Sequence, residues 1–244
     1  MRMMKTIWIE AILLATAVPV LAEPCRMLDF EETPFTVCQV QSGADLRLWL
    51  NDAGGRLIGT PERLAGELAP GEALAFAMNA GMYHSDRRPV GLYVEDGAEA
   101  APIVTAAGPG NFGMLPNGVF CADDGFAVIE SRSFAERRPA CRIATQSGPM
   151  LVIDGALHPR FLTDSDSLHI RNGVGVSADG ETAWFAISDA PVTFHRFARM
   201  FRDELGAPNA LYLDGSVSRL IAPGLGRADP GAPMGPIIGL VTRD

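Results

Sequence analysis

Four short apolar stretches of this chain each meet a polar cluster containing a glycine, and that recurrence limits the possible folds more than any other feature. The clusters are Asn79-Ala80-Gly81, Gln146-Ser147-Gly148, Arg171-Asn172-Gly173 and Asp214-Gly215-Ser216-Val217-Ser218. Apolar runs of four or five residues, bounded by Gly, Pro and Asn, have the length of buried strands and not of helices. In the last of them Ala210-Leu211-Tyr212-Leu213 leads straight into Asp214. A carboxylate at the end of a buried strand is costly unless it is paired or used. Gly215 lets the backbone turn sharply and approach a ligand, and Ser216 and Ser218 set hydroxyl donors beside the acid. One such end reads equally well as a tight Asp-Gly turn. Four of them point to one polar cleft on a rigid sheet.

The rest of the chain predicts an α+β fold: a mixed or antiparallel sheet core with few helices. A long amphipathic helix is expected over 192–205, with Phe194, Phe197, Ala198, Phe201 and Leu205 at helical spacing. Thr193 is placed to cap it and Gly206 to stop it. A short helix is expected over 62–68. Residues 35–40 and 46–50 read as a strand pair after an irregular start over 23–34. Hairpins are expected across Asp123-Asp124-Gly125, Asp154-Gly155 and Asp179-Gly180. With no internal repeat and no long linker, residues 23–244 are expected to form a single domain.

Residues 1–22 carry the pattern of a secretory signal peptide: Arg2 and Lys5, an apolar core over 11–18, then Val20-Leu21-Ala22 at a cleavage site. That core is too short to span a membrane. The protein is therefore expected to be exported, into the periplasm where the cell has one. The 244-residue chain has a formal charge of −9. The leader carries a net +1, so the remainder carries −10, which disfavours nucleic acid and anionic membranes as partners. Lys5 is the sole lysine. Schiff-base chemistry and a phosphate-loop lysine are thereby excluded. Any anion must be held by arginine, by backbone N–H groups or by a metal. The cysteines, Cys25, Cys38, Cys121 and Cys141, suggest disulfides in an exported chain. Proximity pairs Cys25 with Cys38 and Cys121 with Cys141, although three pairings exist.

The segments FAMNAGMY, QSGPMLVIDG, RNGVGVSADG and NALYLDGSVSRL occur in that order. Over roughly 75–223 they resemble the phosphodiester glycosidase family, whose vertebrate member, the "uncovering enzyme", removes N-acetylglucosamine from a phosphodiester. Two departures mark a bacterial sub-branch. The vertebrate branch reads Leu-Asp-Gly-Gly-Gly-Ser where Ser216-Val217-Ser218 follows Gly215 here. The family's Asn-Gly-x-Phe-Phe turn appears as Asn79-Ala80-Gly81-Met82-Tyr83.

The resemblance implies an exported hydrolase that cuts a sugar-1-phosphodiester, or a related envelope glycan, at the anomeric C–O bond. Such cleavage passes through an oxocarbenium-like transition state and expels a phosphate monoester, a weak base that needs charge neutralisation more than a strong acid. Asp214 is the candidate nucleophile, or base for water. Arg171 is the candidate phosphate partner, and Asn79 completes the catalytic set. Gln146, Ser147, Asn172, Gly215, Ser216 and Ser218 are candidates for holding substrate. Gly148 and Gly173 offer N–H groups to an anion, Asp189 is a second carboxylate, and His84 is a candidate acid. His158, His169 and His195 read as packing or solvated side chains. No histidine pair has metal-ligand spacing and no cofactor is expected, though a divalent metal stays open. The expected partner is a small molecule or glycan bearing phosphate. Two other readings compete: a non-catalytic envelope module that binds glycan or anion, and a metal-dependent phosphodiesterase that cuts P–O.

Overall fold

A computed structural model describes residues 23–214 and 217–243; the expected leader over 1–22, with Gly215 and Ser216, lies outside the described residues. The described strands form three antiparallel sheets. The largest runs in the order Cys25–Phe30, Thr33–Gln41, Thr182–Ser188, Asn172–Val176, Asn209–Asp214, Met150–Ile153 and Ala156–Leu157. The second runs Arg227–Ala228, Leu220–Ala222, Glu72–Asn79, Ile237–Arg243 and Asp45–Trp49. The third runs Ala98–Ala101, Tyr93–Glu95, Ile143–Ser147, Gly118–Ala122 and Phe126–Glu130. Three phenylalanines join them. Phe185 of the first sheet lies 5.5 Å from Phe76 of the second and 5.5 Å from Phe120 of the third. All three are fully buried, and each such ring contributes about 1.5–3 kcal/mol by leaving water.

The architecture is the α+β class read from the sequence, and the hairpin turns fall where their residues demand. Asp154 and Gly155 take φ of 47° and 81°, the left-handed pair that suits the twist of a two-residue hairpin. Two expectations need correction. The irregular start is a strand hairpin, turned by Glu31 and Glu32 at φ of 51° and 61°. Glutamates are rare in that conformation, so no local signal announces the turn. Residues 35–40 and 46–50 do not pair with each other. Thr33–Gln41 pairs with Thr182–Ser188, while Asp45–Trp49 crosses to the second sheet and pairs with Ile237–Arg243. Both runs alternate correctly, and only long-range partners decide which sheet each one joins.

The expected long helix starts on its cap: the Thr193 hydroxyl accepts the Arg196 N–H. Helix Phe194–Arg199 continues as a π-helical segment, Met200–Glu204, and Gly206 follows at φ 67°. Phe197 and Phe201 pack edge to face, 5.2 Å apart, and Phe197 stacks on Phe35 of the first sheet. This layer covers the face of the first sheet that also carries Tyr212. The expected short helix is Pro61–Ala65, and an unexpected one, Ser131–Arg137, is capped by the Glu130 carboxylate.

Both disulfides pair by proximity, Cys25 with Cys38 and Cys121 with Cys141. Cys25 and Cys38 stand directly opposite each other on neighbouring strands, Cα atoms 3.9 Å apart. The closed loops span 13 and 20 residues. Loops of that size stabilise by about 3 kcal/mol each by restricting the unfolded chain. Denaturant unfolding with and without reductant should show a loss of about 2–4 kcal/mol per bond removed. A Cys25→Ser/Cys38→Ser protein that unfolds at the wild-type midpoint would refute this.

Candidate active site

Antiparallel register brings the polar strand ends together. Asn172 and Asp214 are cross-strand partners in the first sheet, and Asn79 ends the central strand of the second. The Asn172 side chain is the hub. Its Oδ1 accepts from Asn79 Nδ2 (3.2 Å), from the Asp214 main-chain N–H (3.0 Å) and from Ser218 Oγ (3.3 Å). Its Nδ2 donates to the Asn79 carbonyl (2.9 Å). Ser218 Oγ also reaches the Asp214 carbonyl (2.8 Å) and the Ile170 carbonyl (3.2 Å). Asn79 Oδ1 accepts the Arg219 N–H (2.9 Å). Both asparagines are fully buried. Their amides are therefore spent inside the protein, bolting two sheets together and holding the Asp214 main chain. Such a saturated buried network rigidifies what it holds.

Arg171 sits on the helix-covered face. Its Nε donates to the Val192 carbonyl (2.8 Å) and its Nη2 to the Ser167 carbonyl (3.0 Å). Its guanidinium carbon lies 3.7 Å from the Phe194 ring centroid and 5.5 Å from that of Tyr212. The stack continues through Phe161 to His158. The residue is 1% exposed. Burial pulls the guanidinium pKa below its ordinary value, and the Tyr212 hydroxyl opposes that shift. Tyr212 feels both charges: burial raises its pKa, Arg171 lowers it and Asp214 raises it further. The phenol is thus within electrostatic reach of the guanidinium and of the acid, and Asp214 is 9% exposed. A second buried cation stands one residue beyond Ser218. Arg219 donates from Nε and Nη2 to the Asp229 carbonyl (2.9 and 2.7 Å) and from Nη1 to the Ala232 carbonyl (2.8 Å).

The other candidates lie elsewhere or are engaged by the chain. Ser147 Oγ donates to the Leu213 carbonyl (2.7 Å), bracing the Asp214 strand from behind. Gln146 is saturated: its Oε1 accepts the Leu92 and Val104 N–H groups, and its Nε2 donates to the Val104 carbonyl and Ser131 Oγ. It pins a loop of the third sheet. Gly148 packs on Asn117, and a side chain at Gly173 would meet the Leu211 carbonyl at 2.7 Å, so that glycine permits close strand approach. Asp189 is tied to Arg227 (2.5 Å) and Thr36 (2.9 Å). His84 is exposed in the turn closed by its N–H to the Arg88 carbonyl. Sequence reasoning passed over Arg219 and Tyr212, both visible as polar side chains in the flanks of the Asp214 motif. Among the described residues, no group of three or more His, Cys, Asp or Glu side chains is set to hold a metal ion.

Three antiparallel sheets, two of them joined through buried asparagines, make up a fold that comparisons with known proteins match. The phosphodiester glycosidase family model covers residues 72–232, and the chain belongs to that family. The chain is 33% identical over 180 residues to YigE of Escherichia coli K12, an uncharacterized protein; the match covers 73% of this chain and 70% of YigE. Zebrafish N-acetylglucosamine-1-phosphodiester alpha-N-acetylglucosaminidase, solved as a catalytic domain auto-inhibited by its pro-peptide, superposes with a TM-score of 0.56 at 12% identity. That superposition covers 88% of this chain and 81% of the zebrafish chain. A Burkholderia pseudomallei K96243 protein, named for its expected export, gives 0.55 at 12%, covering 85% and 74%. At such identities the structural likeness speaks for the fold.

Proposed function

We propose that this protein hydrolyses a sugar-1-phosphodiester at the anomeric C–O bond, with Asp214 as the reacting carboxylate and Arg171 as the cation that answers the phosphate. The observation that carries this reading is the Asp214 strand end: Asn172 and Ser218 hold its main chain, and the Arg171 guanidinium lies 5.5 Å from the ring of Tyr212, two residues earlier on the same strand. Family membership supports the hydrolase class. In the reaction the C1–O bond breaks and its electron pair leaves with the phosphate monoester. Water, or Asp214 followed by water, supplies the new bond to C1, and the carboxylate takes up the water proton. Arg171 offers a permanent charge in a desolvated setting, where it stabilises a developing phosphate dianion more than it would in water. Asn172 and Ser218 hold the Asp214 main chain, and Asn79 braces Asn172.

Two disulfides and the leader-like start support work in an oxidising compartment outside the cytoplasm. Hydrolysis of a panel of hexose and N-acetylhexosamine 1-phosphodiesters in ¹⁸O-water tests the reading directly. Label should enter the sugar. Label in the phosphate would instead mean P–O cleavage, and no turnover across the panel would favour a binding module.

A further inference from the structure

The rings that back the Arg171 guanidinium end in a histidine. Arg171 faces Phe194 at 3.7 Å from the ring centroid. Phe194 stacks on Phe161 at 5.0 Å, planes 5° apart, and Phe161 stacks on His158 at 4.8 Å. His158 is 1% exposed, and it stands at the root of the segment 159–168. Main-chain bonds tie that root: His158 N–H to the Leu151 carbonyl (3.1 Å), Phe161 N–H to the His158 carbonyl (3.1 Å) and, where the segment returns, His169 N–H to the Val192 carbonyl (3.2 Å). The imidazole adds one more, since its Nδ1 accepts the Arg160 N–H (3.2 Å). Between the roots, Leu162 and Leu168 are exposed, and the Ser167 carbonyl is one of the two that hold Arg171. This one segment therefore gives Arg171 a carbonyl partner and, through Phe161, the backing of its aromatic platform.

A ring nitrogen that accepts an N–H carries no proton, so the Arg160 contact belongs to the neutral imidazole alone. Protonation would turn Nδ1 into a donor aimed at a donor. Burial holds the His158 pKa below the ordinary histidine value, the Leu115 carbonyl opposes that shift, and the Arg160 charge adds to it. The strand beside the ring meets it through the Leu151 main chain, and Arg160 is the charged side chain that acts on it.

We propose that His158 is a positioning residue for Arg171: its neutral ring latches the root of segment 159–168, and protonation at Nδ1 releases the Ser167 carbonyl and the Phe161 platform that orient the guanidinium. The consequence for turnover rests on the reading of Arg171 as the phosphate cation, whereas the latch itself does not.

Two variants separate the jobs of the ring. His158→Asn sets an acceptor within reach of the amide two residues on and cannot titrate. His158→Phe keeps a ring on Phe161 and has no acceptor. By NMR, His158 in the wild type should titrate below the ordinary histidine range. Protection of the Arg160 amide against hydrogen exchange should fall about tenfold through that titration, while Ala186 in the first sheet stays protected. In His158→Asn the Arg160 protection should hold at every pH, and in His158→Phe it should be about tenfold lower throughout. The folded-state pKa lies below the unfolded one, so the wild type loses stability as pH falls through the ordinary histidine range. Between about pH 7.5 and 5 its melting temperature should drop about 3–6 °C more than that of His158→Asn. The acid limb of diester kcat/KM should move to lower pH in His158→Asn. A wild type that turns over no diester removes the phosphate reading of Arg171, and the Arg160 amide then decides the latch. The proposal is overturned if His158 titrates at or above the ordinary range, if the Arg160 amide ignores that titration, or if Ala186 opens with it. An acid limb unmoved in an active His158→Asn overturns it as well. Should the variants not fold, the wild-type titration and amide protection decide alone.

Discussion

Asp214→Asn should lower hydrolysis of a sugar-1-phosphodiester by about 10³-fold while shifting the melting temperature by no more than about 3 °C. The substitution keeps the shape of the side chain and removes its charge and basicity. The bonds from the Asp214 main chain to Asn172 and Ser218 are untouched, because they use its N–H and C=O groups. Loss of activity with the fold retained is the signature of a group acting on the reacting atoms. Steady-state rates and thermal unfolding of the same preparation check it. A variant with rates within threefold of wild type would remove Asp214 from the chemistry.

The second large effect is expected at Arg171. Arg171→Ala strips the partners from the Val192 and Ser167 carbonyls, opens a void against Phe194 and ends the cation–π contact. Leaving buried acceptors unpaired and a core void unfilled should cost about 3–5 kcal/mol. For a chain of this size that lowers the melting temperature by roughly 10 °C. Arg171→Lys separates packing from recognition. Lysine keeps the positive charge but lacks the planar fork that spans two carbonyls. It should recover part of the lost stability while diester kcat/KM stays about 10- to 100-fold below wild type. Full recovery of rate in the lysine variant would show that charge alone suffices. A stability loss below about 1 kcal/mol in Arg171→Ala would contradict the bonding described for the guanidinium.

Both predictions treat the buried asparagines as scaffolding, and that division of labour was hidden from the sequence. Asn79 and Gln146 are each a polar side chain at a strand end near glycine, read from the sequence as a catalytic and a substrate-holding residue. In the fold Asn79 joins the Asp214 network, while Gln146 spends its amide on Leu92, Val104 and Ser131. Asp189 reads as a second carboxylate until Arg227, 38 residues away, is found beside it.

By itself the sequence determined what local chemistry can dictate. Strand ends appeared where apolar runs stop, turns where Asp meets Gly, and a helix start where Thr193 can cap. The acid at the end of a buried run was equally legible, whereas the pairing of cysteines by proximity was one of three that the sequence allowed, and the fold selects it. Tertiary structure alone decided which sheet each strand joins and which polar side chains are consumed by the chain. The reason is physical: periodicity and turn preference act over a few residues. A buried side chain's partner, by contrast, is chosen by the packing of segments 40 to 140 positions apart, such as Asn172 on Asp214 or Asn79 on Arg219.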